Sequence, residues 1–235
     1  MKEKLCIVGA GHLANEIVDF IRHYDLFDIV GFTVNKDRIA DDHYLGVPVY
    51  PMEELESFID KNEVKLFIAI SWYHNMMGLR EEKFNELKGR GFTFANVISP
   101  RAFIWSDNIG EGNWICDNVY IGYQVTIGNN NVFRACCDVQ HYSVIGDNCF
   151  IADMSMLAGH VTLRDRCFVG ISCAVHNKVT IGEKCVVGGG SVIKKDVPAY
   201  SLCIAENATI VQRDVQSIEK YVSVKRLAKG TDKND

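Results

Sequence analysis

No stretch of this 235-residue sequence approaches the ~20 consecutive apolar residues of a membrane-spanning helix. It has no basic block either: 25 Lys and Arg face 30 Asp and Glu, for a formal net charge of -5. Nucleic acid and anionic membranes are therefore poor partners. None of the nine cysteines forms a CxxC pair, and Cys136 and Cys137 are adjacent, which is poor spacing for a metal site of the usual kind. The N-terminus, MKEKLCIVGAGH, lacks the apolar core and small-residue cleavage site of a signal peptide. The expected compartment is the cytoplasm, where thiols stay reduced and serve in packing.

What is present divides the chain in two. Residues 1–95 alternate strand and helix: LCIVGA, a helical stripe through Leu13, Ile17, Phe20 and Ile21, then IVGF. PMEELESFIDKN reads as a helix opening at Pro51, KLFIAI as a strand, Met76 to Lys88 as a helix, and FTFANV as the closing strand. Strands separated by helices imply a small parallel sheet with helical cover. The turn GAGH sits at a helix N-terminus, where phosphate or ribose oxygens can meet free N–H groups. It is equally a turn that lets helix and sheet pack. It lacks the full GxGxxG, and no acidic residue closes the IVGFTV strand, so a nicotinamide cofactor is disfavoured.

After residue 96 the period becomes six. From Val97 to Ile193 in steps of six, all seventeen positions are apolar, with no insertion. Such a run describes a solenoid of short strands, three per coil, with eighteen residues per coil. The fourth residue after each marker is small or branched in most coils, and Cys137, Cys149, Cys167, Cys173 and Cys185 fall there as compact core residues. Asn, Gly and Asp supply the corners, which call for left-handed backbone. The 96–212 segment is thus expected to be a parallel β-helix, and 213–235 a C-terminal helix and polar tail. Stacking at intervals of 18 places His141 beneath Gly159 and Tyr142 beneath His160, with His176 near the same edge.

With these pieces in place the chain resembles the hexapeptide-repeat sugar acyltransferases, in particular the branch that joins an N-terminal Rossmann-like domain to a left-handed β-helix. That branch includes sialic-acid O-acetyltransferases and N-acetyltransferases of nucleotide-linked 4-amino-sugars. The resemblance rests on IVGAGH, LGVPVY, YHNMMGLREEKF, GFTFANVISPRA, the hexads and VVGGGSVIKKDVP in that order. In that family a histidine in V-x-H-[acid]-x-x-I-G is the general base. The match VQHYSVIG implies His141 in this role, with Tyr142 at the acidic neighbour's place. The N–H of Gly159, one coil above, is implied to meet the thioester carbonyl. The resemblance also implies a homotrimer holding acetyl-CoA in the groove between adjacent prisms, with Gly159, His160, Asn177 and Ala205 on the cofactor side. It implies an acceptor against Gly9, Ala10, Gly11, His12, Leu13, Thr33 and His160, no metal, and a place in polysaccharide biosynthesis. The sequence departs from the family at Leu13, at Thr33 and Val34 (an acidic pair in relatives), and at AENA, Ala205 to Ala208, in place of G-x-P-A.

Acyl transfer from a thioester needs one base near neutral pKa and a donor facing the developing oxyanion, with no covalent enzyme intermediate. The expected function is transfer of an acyl group from acetyl-CoA to the amino group of a nucleotide-linked amino-sugar, with O-acetylation of a sugar hydroxyl as the alternative. An inactive scaffold homologue and a γ-class carbonic anhydrase are weighed against it. The retained His141 opposes the first, and the spacing of His141, His160 and His176 opposes the second.

Overall fold

A computed structural model of the chain describes residues 2–71, 77–208, 210–212 and 215. The expected C-terminal helix and tail, 213–235, lie outside the described residues apart from Val215, as does the start of the 76–88 helix. Met1–Ala205 form one compact unit and Glu206–Asp235 a second. Among the described residues no helix is long and apolar enough to cross a membrane.

The first part of the compact unit is an α/β layer. Its sheet contains β1 (Lys4–Val8), β2 (Asp28–Val34), β3 (His43–Tyr44), β4 (Val47–Pro51) and β5 (Val64–Ile68), in the order β3-β4-β2-β1-β5. All pairings are parallel except β3 with β4. The closing FTFANV segment joins as a single parallel bridge, Phe94 beside Leu66. Helix α1 (His12–Tyr24) buries Ala14, Ile17, Val18 and Ile21 on the sheet and stops at Asp25, which adopts left-handed backbone. Helix α2 spans Gly78–Gly89. PMEELESFIDKN departs from expectation. Pro51 ends β4, and Met52–Ser57 is a 3-10 stretch with non-helical backbone at Glu54. The buried residues there, Met52 and Leu55, are three apart, and the three-residue turn of a 3-10 helix puts both against the sheet edge.

The second part is the left-handed parallel β-helix that the hexads announce. Its strands are two residues long and stack in three sheets. One face runs from Val97–Ile98 up to Leu202–Cys203, the second from Phe103–Ile104 to Val192–Ile193, and the third from Thr126–Ile127 to Thr180–Ile181. Every sixth residue from Asn118 to Gly190 has positive φ, so each corner is turned by one left-handed residue. These are not chiefly Asn and Gly: Gln124, Cys136, Tyr142, Met154, His160, Arg166 and Lys178 all adopt it. Left-handed backbone costs roughly 1–2 kcal/mol for such residues. At most corners the N–H of that residue is bonded to the carbonyl nineteen positions back, as in Tyr142 to Tyr123 (2.9 Å), His160 to His141 (2.9 Å) and Lys178 to Gly159 (3.0 Å).

The inward positions are filled as the period requires, with Val139, Leu157 and Val175 in one buried column. The first two markers are corrected. Ile98 and Ile104, not Val97 and Phe103, align with Ile115 and Ile121, because the first coil is seventeen residues there rather than eighteen. Phe103 points outward and is 59% exposed. The last coil is shorter still, sixteen residues, with Val197 against Ile181 and Cys203 against Val187. A polar column runs through the interior. Asn113 and Asn131 donate their amides to the Gly128 and Gly146 carbonyls (3.0 and 2.9 Å). Above them the thiols of Cys149, Cys167 and Cys185 do the same to Arg164, Gly182 and Pro198 (3.1, 3.0 and 3.0 Å). The cysteines therefore fill volume and also satisfy buried carbonyls that a valine would leave unpaired.

The α/β layer sits on the first face of the prism. There the outward-pointing Val97, Trp114 and Val132 are buried, and Phe20 meets Trp114 edge-to-face at 5.8 Å. Tyr24 donates to Asp117 (2.7 Å) and Arg134 pairs with Glu16 (2.7 Å) at one corner of that face. At the other corner the buried Arg80 guanidinium donates to the carbonyls of Asn130 and Gly112 on the prism and of Ile68 and Ile70 on the sheet.

Thiol chemistry checks this register. Seven cysteines are buried, Cys203 is half-buried and Cys136 is exposed. Burial pushes the thiols of Cys6 and Cys137 up to about 12 and holds Cys149 well above its ordinary range. In native protein at pH 8, a thiol reagent should modify Cys136 within seconds and Cys203 more slowly. The five hexad cysteines should react only on unfolding; their reaction at the rate of Cys136 would contradict the register.

Candidate active site

His141 lies at the corner between the second and third faces, directly above Tyr123 and below Gly159 and Asn177 in one column. Its backbone fits only because the neighbouring coils are bare. A Cβ on Gly122 would lie 2.9 Å from the His141 amide nitrogen. One on Gly159 would lie 2.6 Å from Nε2 of the imidazole. The ring is thus packed against the Gly159 backbone, and the residue is exposed. At the corner between the third face and the first, Asn129 and Asp147 donate their N–H groups to the carboxylates of Asp147 and Asp165 (2.6 and 2.9 Å). At the His141 corner the Gly159 N–H has no hydrogen bond among the described residues, so a donor stands beside the imidazole. A base and a donor side by side form the minimal constellation for acyl transfer.

Around this pair stand three more rings. Tyr142 and His160 stack at 5.1 Å with 17° between their planes, and each meets His141 edge-to-face, at 5.8 and 5.5 Å. The Tyr142 hydroxyl makes no hydrogen bond to His141 among the described residues; it contributes a ring face. Tyr123 meets Tyr142 at 5.7 Å. His176 lies one coil up at the neighbouring position and is exposed, with no ring contact to this group among the described residues. Asn177 is exposed above Gly159. Ala205, half-buried, follows the last rung of the first face.

A cavity of about 960 Å³ opens at the N-terminus of α1. Gly9, Ala10, Gly11, His12 and Leu13 all line it. Gly9 needs its φ of +107°, and its N–H donates to the Thr33 carbonyl (2.9 Å). Gly11 precedes α1 without a side-chain cap, so the first-turn N–H groups face an uncapped end. Thr33 does not line the cavity: its side chain is fully buried and its hydroxyl donates to the Tyr50 carbonyl (3.0 Å). Val34, Asn35, Asp37 and Arg38 take its place, with Ser71 and Lys83 opposite. Asn35, Asp37, Arg38, Ser71 and Lys83 belong to no repeat that would single them out in the sequence. Asp37, just past the end of β2, was the one available signal for an acidic group near that strand.

The cavity is lined wholly by residues of the α/β layer. The α/β layer spans the first face from corner to corner, whereas His141 occupies the corner opposite that face. Six residues per side at about 3.3 Å each give a side of at most about 20 Å. The body of the prism therefore lies between the face covered by the α/β layer and His141.

Comparison with known proteins bears on both halves. Residues 4–86 match the family model of the PglD N-terminal domain. The chain is similar to PerB from Caulobacter crescentus, solved with CoA and GDP-perosamine, at 29% identity and a TM-score of 0.69 over 85% of this chain and 92% of PerB. It is similar to the H-to-N mutant of perosamine N-acetyltransferase from the same organism, also with CoA and GDP-perosamine, at 27% identity and a TM-score of 0.62 over 89% and 97%. The acetyltransferase domain of PglB from Neisseria gonorrhoeae shares the fold, with a TM-score of 0.70 at 19% identity over 84% and 94%. A search of curated protein sequences finds no match. The fold, an α/β domain followed by a left-handed β-helix of hexapeptide repeats, is the one these sugar acetyltransferases share. More particularly, the PglD-type match covers the α/β half, and the similarity to PerB extends over both halves.

Gly159→Ala tests the pairing. The φ of Gly159 is not in the left-handed range, and the atoms nearest to an added Cβ are those of the His141 imidazole. The variant should fold with an unchanged melting temperature and lose roughly 100-fold in kcat. Wild-type turnover would show that the imidazole does not need that surface.

Proposed function

We propose that this protein transfers the acetyl group of acetyl-CoA to the amino group of a nucleotide-linked amino-sugar, with His141 as general base. The observation that carries this is the imidazole lying against Gly159 beside an unengaged N–H. As the amine attacks the thioester carbonyl, His141 takes its proton and Gly159 donates to the oxyanion. Collapse expels the CoA thiolate, which leaves with a proton. The nucleotide is assigned to the cavity at α1, where an uncapped helix end meets Arg38 and Lys83. Tyr142, His160, Asn177 and Ala205 border the cofactor's course along the prism.

The opposed positions of cavity and base favour a site shared between chains, in which the cavity of one protomer serves the His141 of its neighbour. A closed homotrimer satisfies that requirement with one repeated interface. A cytoplasmic enzyme with access to acetyl-CoA, supplying modified sugars for polysaccharide assembly, is the setting this reading implies.

Acetyl-CoA-dependent thiol release across nucleotide-sugars, amino and non-amino, tests the acceptor. Release should occur only with amino-sugars; release only with hydroxyl acceptors would move the reaction to O-acetylation. His141→Ala should lower kcat by about 10²–10⁴-fold with acetyl-CoA binding retained. Tyr142→Phe should stay within a few-fold of wild type, because its ring and not its hydroxyl makes the contacts. Loss of turnover in His160→Ala with His141→Ala unaffected would reassign the base.

Subunit mixing tests the shared site. Ala10→Trp fills the cavity and His141→Ala removes the base, so each alone should be inactive. Co-assembled from both, trimers should regain measurable turnover. No recovery in mixed trimers of confirmed mass would place cavity and base in the same chain's service.

A further inference from the structure

The corner that bears His141 carries more aromatic surface than the fold requires. The left-handed residues at other corners, such as Asn118, Asn148, Arg166 and Lys184, carry no aromatic ring. Here Trp105, Tyr123 and Tyr142 are exposed in succession, at 59%, 44% and 50%. Their rings touch in series: Trp105 to Tyr123 at 5.6 Å and 61°, then Tyr123 to Tyr142 at 5.7 Å and 85°. None of these contacts closes the hydrophobic interior, which at this level is already filled by Ile104, Ile121 and Val139. A contiguous exposed apolar strip next to a reactive group marks a binding surface.

The position of the strip selects its occupant. Tyr123 lies directly below His141 and Gly159 directly above, so the two sides of the imidazole differ. The upper side offers the N–H assigned to the thioester. The lower side offers only ring faces and edges, with no charged side chain among Trp105, Tyr123 and Tyr142. We propose that Trp105 and Tyr123 form the floor on which the acceptor's sugar ring rests. Their faces meet the C–H face of the pyranose, and the amino group projects upward to Nε2 of His141. Tyr and Trp suit a ligand that is apolar on one face and hydroxylated at its rim, because each presents a flat apolar body with a polar tip. The two rings act as acceptor-binding residues and take no part in proton transfer.

This inference rests on the acetyltransferase reading above, and the experiment separates the two. The probe is the nucleotide-linked amino-sugar that gives the highest turnover with the wild-type protein. Trp105→Ala and Tyr123→Ala should each raise the KM for that sugar about five- to tenfold, with the KM for acetyl-CoA within twofold. Trp105→Phe and Tyr123→Phe, which keep a ring, should return to within about twofold of wild type. Trimer mass is measured for every variant. A rise in the KM for acetyl-CoA instead would assign the strip to the cofactor and overturn the proposal. Dissociation of the alanine variants, or no change in either KM, would also overturn it while leaving the acetyltransferase reading intact. Absence of wild-type turnover with every amino-sugar would remove that reading and the sugar floor with it.

Discussion

A left-handed residue every six positions is the constraint on which this molecule depends. It bends the chain by the same angle at the same interval, so that three two-residue strands close a triangle and the next triangle lies on top. The hydrogen bond from most corners to the carbonyl below offsets the cost of the turn and ties successive coils together. From that regularity follow the buried columns, the ladder of Asn and Cys donors, and the site itself. His141 can lie against Gly159 only because one coil's corner is set squarely over the last.

This regularity also explains how much was legible in the sequence. In a solenoid, neighbours in space are a fixed offset apart in the chain, so the alignment of His141 with Gly159 and of Tyr142 with His160 could be counted out. Counting fails where the offset changes. Phe103 is apolar and extends the series on paper, but a seventeen-residue coil turns Ile104 inward in its place. Met52–Ser57 misled for another reason: its acidic, leucine-bearing composition favours a helix, yet the two residues it must bury are three apart.

The α/β half was legible only in outline. The stretch from Gly9 to Leu13 does line a cavity, but Asn35, Asp37, Arg38 and Lys83 reach it through loop and helix geometry that no period records. Nor did the sequence announce which face of the prism the sheet would cover. A signal existed in Trp114 and Val132, apolar residues at outward positions where a solvated face would carry polar ones. Those two side chains place the α/β layer on the face opposite the corner that carries His141.

The uneven coils at the two ends of the prism carry a consequence of their own. A stack of identical triangles would finish in open strands whose spacing matched the start of any other copy, an invitation to grow into a fibre. Here the stack begins with a seventeen-residue coil and ends with a sixteen-residue one. Neither terminal triangle has the perimeter of the interior ones, so one prism set end to end on another would meet it out of step. Growth along the axis is thereby discouraged, and the flanks of the prism are left as the surfaces through which copies can associate.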